Sequence, residues 1–468
     1  MHEAERSLLP ARLLDWVEGT TGDEIVRIRP RAGGGAVRAG AELDLRTAKG
    51  ERRRCFLAYA QGSLSKSSEA NYRREGSLLS ALADTALRSP PLIAYSVEQQ
   101  ALLFGFVEGE TFFSLLEDPA ERERVAHDFV AELAKVHALD PSSLALEGFG
   151  PARPVAHIVE DRLTEIECEH QDGGAPDPLV VLVLEWLRGH VPAWDGPPVI
   201  VHGDAGPANF LYRDGSLTAL LDWELSHLGD PLEDFAWVSI RSLFQPFVPL
   251  PGLFRAYERA GGTTVDVERV RFYRLYCLLW MVVRSHRTWI QQPERIPEHG
   301  GAVGTALGYS MLHKRVLLEE LALAMGVSLP AVELPTPAAS AAAPFFEVAL
   351  NEIRDVIVPR SSDQVVVHRA KALARLLKYL QARDECEALF EADEQADLSE
   401  VLGAAPTDVT DIAARRLELV RRIRAGEIDP AAALGAVHRR NVRETAILAS
   451  SMGALANRHF APLESSDA

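Results

Sequence analysis

One stretch constrains this chain more than any other: Val199–Trp237, VIVHGDAGPANFLYRDGSLTALLDWELSHLGDPLEDFAW. Val199–Val201 is a short β-branched run, so His202-Gly203-Asp204 opens a loop just past a strand. Asn209–Arg213 and Ser216–Asp222 are apolar runs separated by Asp214-Gly215, a dipeptide favoured in two-residue type I′ hairpins. A two-residue turn sets Arg213 opposite Ser216 and Asn209 opposite Leu220. Alternation then puts positions 220 and 222 on one face. Asn209 and Asp222 are therefore expected on the same face at the open end of the ribbon. Facing neighbours offset by two lie about 7–8 Å apart at Cβ, so their oxygens can share one hard cation. Asp204 stands five residues before Asn209 and reaches the same spot from the preceding loop.

A carboxylate and an amide oxygen on one metal, with a second carboxylate beside it, suit phosphoryl transfer. Mg²⁺ takes one or two protein oxygens and completes its octahedron with water and nucleotide phosphates. The remaining Asp can orient a substrate hydroxyl and accept its proton. HGDAGPAN followed by LLDWE resembles the signature of the aminoglycoside phosphotransferase-like kinases, a group related to choline kinases and, more remotely, to protein kinases. The run LDWELSHLGDPLEDFAW is similar to that of the branch related to the phosphotransferase domain of acyl-CoA-dehydrogenase-associated proteins. The resemblance covers roughly residues 20–325. It implies Asp204 as the catalytic base, Asn209 and Asp222 as Mg²⁺ ligands, ATP as the phosphoryl donor and a small-molecule hydroxyl as the acceptor. It also implies that His202 is a structural loop residue and Asp234 a scaffold carboxylate. His137, in ELAKVHALD, resembles a position on a family helix, and on its own reads as a satisfied core histidine.

A kinase also needs a phosphate-covering loop, and a basic residue on the third strand paired with an acid on the following helix. Gly33-Gly34-Gly35 fits the loop, because backbone amides approach phosphate closely only where side chains are small; it equally fits a plain turn. Glu75, in YRREGSLLSAL, matches the helix glutamate of the resemblance. The strand CFLAYAQG places Tyr59 where the resemblance calls for Lys or Arg, and a phenol supplies no permanent cation. Arg53 and Arg54 lie upstream and Lys66 beyond. The adenine-reading hinge falls on LLFGFVEG, with Gly105 where a Glu is frequent and Phe106 contributing through its backbone. Two readings stay open: a Mg²⁺- and ATP-dependent small-molecule kinase, or a kinase-fold protein of impaired catalysis that binds a nucleotide or ligand and acts through its C-terminal helices.

The expected fold class is α+β: a bilobal protein-kinase-like fold, with a small β-rich N-lobe and a helical C-lobe, followed by a C-terminal all-α bundle. The N-lobe is expected over 1–107, the C-lobe with the phosphotransfer site over 108–327, a Pro/Ala linker over 328–344 and the bundle over 345–468. In the C-lobe, Pro119–Leu139, 157–190 and 265–325 read as helical, and specificity would come from 157–190 and 240–325. In the bundle, Phe345–Val358, Asp363–Ala382, Asp408–Arg424 and Pro430–Ser451 carry helical spacing. Its acidic run EADEQADLSE, Glu391–Glu400, reads as a solvated face or loop. This region resembles an uncharacterised helical extension of such phosphotransferase-like proteins; a homodimer contact and a partner-enzyme docking module are both open. The formal charge of −18 argues against nucleic acid as the main partner. The longest apolar run is far short of the ~20 residues that span a bilayer, so no membrane is expected. Four scattered cysteines, with no paired spacing, suggest a reducing cytoplasmic setting.

Overall fold

Alternating apolar residues build the main sheet. The computed structural model describes residues 6–31, 38–60, 64, 66–172, 174–287, 296, 303–337, 340–403 and 411–464. Helix α1 (Ala11–Thr21) precedes strands β1 (Glu24–Arg31), β2 (Arg38–Arg46) and β3 (Arg52–Ala60). Helix α2 (Lys66–Leu82) leads to β4 (Leu92–Ser96) and β5 (Ala101–Gly105). The five strands order as β1-β2-β3-β5-β4, every neighbour antiparallel. One face is a closed core: Ala41, Leu43 and Leu45 of β2, Cys55 and Leu57 of β3, and Ala101 and Leu103 of β5 pack with Leu13, Leu14 and Val17 of α1. Period-two alternation sends Tyr59 to this same face, where it packs, part-buried, against the core. The opposite face carries Arg38, Gly40, Ala58 and Ala60, in the register Arg38–Ala60 and Gly40–Ala58.

The chain continues through α3 (Pro119–His137), whose buried face carries Phe129, Leu133, Val136 and His137 as the sequence predicts. After α4 (Val155–Gln171) and α5 (Pro178–Gly189) come β6 (Val199–Val201), β7 (Phe210–Arg213), β8 (Ser216–Leu220) and β9 (His227–Gly229). Helices α6 (Glu233–Ser242), α7 (Leu250–Arg259), α8 (Val267–His286) and α9 (Val303–Ala324) follow. The last stretch holds α10 (Ala343–Asn351), α11 (Gln364–Leu402), α12 (Ile412–Arg424) and α13 (Pro430–Met452).

Two compact units emerge. One comprises Met1–Ile158, Trp194–Val267 and Ala461–Ala468; the other comprises Val159–Ala193 and Glu268–Phe460. The Pro/Ala segment therefore runs inside the second unit, because the helices after it pack on helices before it: α13 on α9, and α12 on α5. Asp177 caps α5 by accepting from the Leu179 amide (2.9 Å), and its carboxylate also holds Lys314 (2.9 Å). Lys314 reaches Glu444 (2.8 Å), which Arg440 grips in turn (2.8 Å). The acidic run 391–400 forms the end of α11, a single helix of 39 residues. Two of its acids bridge helices, Glu394 to Arg416 (2.6 Å) and Asp397 to Arg439 (2.5 Å) and Arg443, while Glu391 and Glu400 stay exposed. The expected solvated face holds at those two positions, and the basic partners on α12 and α13 draw Glu394 and Asp397 inward. These charges line part of a cavity of about 460 Å³ within the unit.

Burial pushes His170 and His313 of this unit down to about 4, with His286 adding to the effect at His170. A histidine whose folded-state pKa lies below its unfolded value takes up its proton only on unfolding, so stability is full above about pH 6.5 and is lost as pH falls toward 4. The expected slope is about 1.4 kcal/mol per pH unit for each of the two. Urea unfolding at pH 7, 6 and 5 measures it, and His313→Asn should flatten the slope.

Candidate functional site

The loop after β6 is held from below. Asp234, fully buried in the first turn of α6, accepts from the amides of His202 (2.9 Å) and Gly203 (2.9 Å) and bonds the His137 Nε2 (2.9 Å). The other ring nitrogen of His137 meets the Tyr257 hydroxyl at 2.8 Å. Burial alone would raise the Asp234 carboxyl; the His137 bond and the His202 amide outweigh it and keep the group below the ordinary range. Gly203 has φ +79°, and a Cβ there would strike the Leu225 carbonyl oxygen, so glycine is required where the two loops cross. His202 extends its Nε2 to the Leu221 carbonyl (2.8 Å) and lays its ring 4.6 Å from Trp223. Burial lowers its pKa, which keeps the ring a neutral spacer between loop and hairpin.

The hairpin forms with the expected turn: Asp214 and Gly215 both have positive φ, 52° and 73°. Its register differs from the expected one. Arg213 faces Ser216 and Tyr212 faces Leu217, but Leu211 faces Ala219 and Phe210 faces Leu220. Thr218 is the extra residue of a β-bulge, its hydroxyl donating to the Glu108 carbonyl (3.1 Å). Asn209 consequently meets Leu221, whose amide donates to its carbonyl at 2.8 Å, rather than Leu220. Asp222 then leaves the strand altogether in the left-handed region, φ 65° and ψ 63°. Its direction is set by that kink and not by strand alternation.

Asp204 and Asn209 are brought into direct contact. The Asn209 amide donates to the Asp204 carbonyl (2.8 Å) and carboxylate (2.9 Å). Arg241 of α6 grips both carboxylate oxygens of Asp204, through Nε at 2.6 Å and through Nη2. Desolvation pushes the Asp222 carboxyl up to about 7, with Glu224, Asp204 and Glu75 adding to the effect and Arg241 opposing it. A carboxyl part-protonated near neutrality marks a site short of positive charge, and the donor set of carboxylates and amide oxygen suits a hard divalent cation.

Glu75 is buried on α2, and its partner is Arg38 of β2 at 2.6 Å. Arg38 also reaches Glu224 (3.1 Å), and its guanidinium lies 4.5 Å over the Tyr72 ring. Neither Arg53 nor Arg54 takes that place: Arg53 pairs with Asp23 (3.2 Å), and Arg54 pairs with Glu108 and stacks 3.7 Å over Phe106. The Phe106 amide donates to the Arg54 carbonyl (3.2 Å), so that donor is already engaged within the sheet. Gly33, Gly34 and Gly35 lie outside the described residues, as does the Lys66 side chain. Sequence reasoning missed Arg38, Glu224 and Arg241. Glu224 lies inside the quoted DWE run, whereas Arg38 and Arg241 have no local signal.

Residues 46–273 match the phosphotransferase enzyme family. Acyl-CoA dehydrogenase family member 11 of Homo sapiens is 30% identical over 158 residues, 33% of this chain and 20% of that protein. Acyl-CoA dehydrogenase family member 10 of Mus musculus is 27% identical over 165 residues, 34% of this chain and 15% of that protein. The match thus spans a fifth or less of those relatives' own length. Among solved structures, a candidate aminoglycoside phosphotransferase of Ralstonia eutropha superposes with a TM-score of 0.51 at 18% identity, over 68% of this chain and 98% of its own. That likeness supports the bilobal kinase-like fold, here with a helical C-terminal region.

Proposed function

This chain belongs, through residues 46–273, to the phosphotransferase enzyme family, and from that premise we propose that it moves the terminal phosphoryl group of ATP to a hydroxyl of a small molecule. The observation that carries the reading is the convergence of Asp204, Asn209 and Asp222 on one loop-and-hairpin unit. Asp204 is the base: its carboxylate accepts the acceptor hydroxyl's proton, and the Asn209 amide fixes its orientation. The Asn209 side-chain oxygen and the Asp222 carboxylate are the ligands for Mg²⁺, which when bound supplies charge neutralisation for the phosphates. Arg241 holds Asp204 in place before substrate arrives. Asp234 and His137 fix the backbone on which Asp204 rides.

The second reading, a nucleotide- or ligand-binding protein of impaired catalysis, draws on the Arg241 grip, which occupies both oxygens of the base. Single-turnover transfer from labelled ATP to a pool of hydroxylated metabolites separates the two. Transfer that Asp204→Asn removes supports the kinase; intact Mg·ATP binding with no transfer from the native protein supports the alternative. The metal assignment has its own check. Asp222→Ala should weaken nucleotide binding about tenfold or more in Mg²⁺ and leave it unchanged in EDTA. Equal affinity of both proteins in Mg²⁺ removes the assignment.

A further inference from the structure

On the third strand the cleft-face positions nearest Arg38 carry no cation; Arg54, on the same face, lies toward the other end of the strand and pairs with Glu42 and Glu108. Ala58 and Ala60 stand at those nearest positions, and Tyr59 packs against the core on the other face. The positive charge comes from the neighbouring strand. Arg38 opens β2 directly opposite Ala60, on the same face of the sheet as Ala58. Its side chain is 12% exposed, and it bridges Glu75 of α2 and Glu224, two residues beyond Asp222. Burial would weaken this cation, yet Glu75 and Glu224 keep it firmly charged. Its partners Glu75 and Glu224 also act on Asp222, an acidic surplus that an arriving polyphosphate could not enter without local cations.

We infer that Arg38 on β2 is the phosphate-positioning cation of this site, in place of a basic residue on β3. The inference rests on the nucleotide reading above and adds to it which residue takes the charge and from which strand. A guanidinium suits the placement. Its five N–H groups allow it to keep a carboxylate partner while others face phosphate oxygens, a division that a lysine's single ammonium makes less readily. Glu75 and Glu224 hold the head from two directions, so binding spends little side-chain entropy.

The rival is a purely structural arginine that ties β2 to α2. Calorimetric titration of the full-length protein with ADP and with adenosine, in Mg²⁺ and in EDTA, tells them apart. Arg38→Met should weaken ADP about 10–100-fold, the range that loss of a charge-assisted hydrogen-bonding partner gives, and leave adenosine within about threefold. Adding Ala60→Lys to Arg38→Met returns a cation to the facing position and should recover most of the ADP affinity. Arg38→Lys, which keeps the charge, should melt with the native protein and lose less ADP affinity than Arg38→Met. An unchanged ADP affinity in Arg38→Met overturns the inference, and so does an equal loss for adenosine. Native protein that binds neither ligand overturns the nucleotide reading itself, an outcome distinct from either.

Discussion

Asp204→Asn should lower phosphoryl transfer about 10³-fold while leaving Mg·ADP affinity within a few-fold of native. The size follows from the chemistry lost. A positioned base contributes roughly 10²–10⁴-fold, and an amide in its place has no basic oxygen for the acceptor proton. Shape is preserved, so Asn209 keeps an oxygen to donate to, but Arg241 loses its two-point anionic partner. Arg241 is three-quarters buried, so a modest loss of about 1–3 kcal/mol in stability accompanies the change. Rapid-quench kinetics, with a melting curve on the same sample, measure both. Transfer above a tenth of native in Asp204→Asn would falsify the assignment of Asp204 as base.

Asp234→Ala is expected to act mainly on stability. The carboxylate is fully buried and accepts from two loop amides and one histidine. Removing one partner of a buried, hydrogen-bonded charge network costs about 3–5 kcal/mol. For a unit of this size that is roughly 6–20 °C in melting temperature. Activity should fall as well, because His202 and Gly203 position Asp204 through the backbone. Tyr257→Phe removes only the outer hydroxyl contact to His137 and should cost about 1 kcal/mol. Scanning calorimetry on the two variants gives the ratio. Equal losses would show that the carboxylate does not anchor the loop.

What the sequence disclosed is what short-range rules govern. Asp214-Gly215 announces a type I′ turn because only residues that tolerate positive φ fit there, and both do adopt it. The strand before His202 and the amphipathic face of Pro119–His137 follow from periodicity within one element. The hidden parts all depend on pairings between distant segments. β2 has a legible alternation, Ala41-Glu42-Leu43-Asp44-Leu45, but that Arg38 lies across from Ala60 is a register between residues 22 positions apart. The ion pair from Arg38 to Glu75 crosses from sheet to helix. The acids near the end of α11 meet bases from α12 and α13, which the acidic run by itself gives no hint of. Tyr59 is the clearest case. Alignment with the resemblance sets it where a basic residue is called for, and parity turns it to the core.

The bulge at Thr218 carries a consequence for how such a chain can change over generations. Surface hairpins ordinarily absorb insertions and deletions with little harm. Here the pairing of Leu221 with Asn209, past the odd residue, sets where the chain kinks at Asp222. One residue removed from β8 would only erase the bulge and leave Leu221 opposite Asn209, whereas one added would shift that pairing and turn the following side chains to the other face. The acid would then be carried away from Asp204 with no charged residue altered. The placing of the acid therefore depends on the length of this ribbon as well as on the residues it carries.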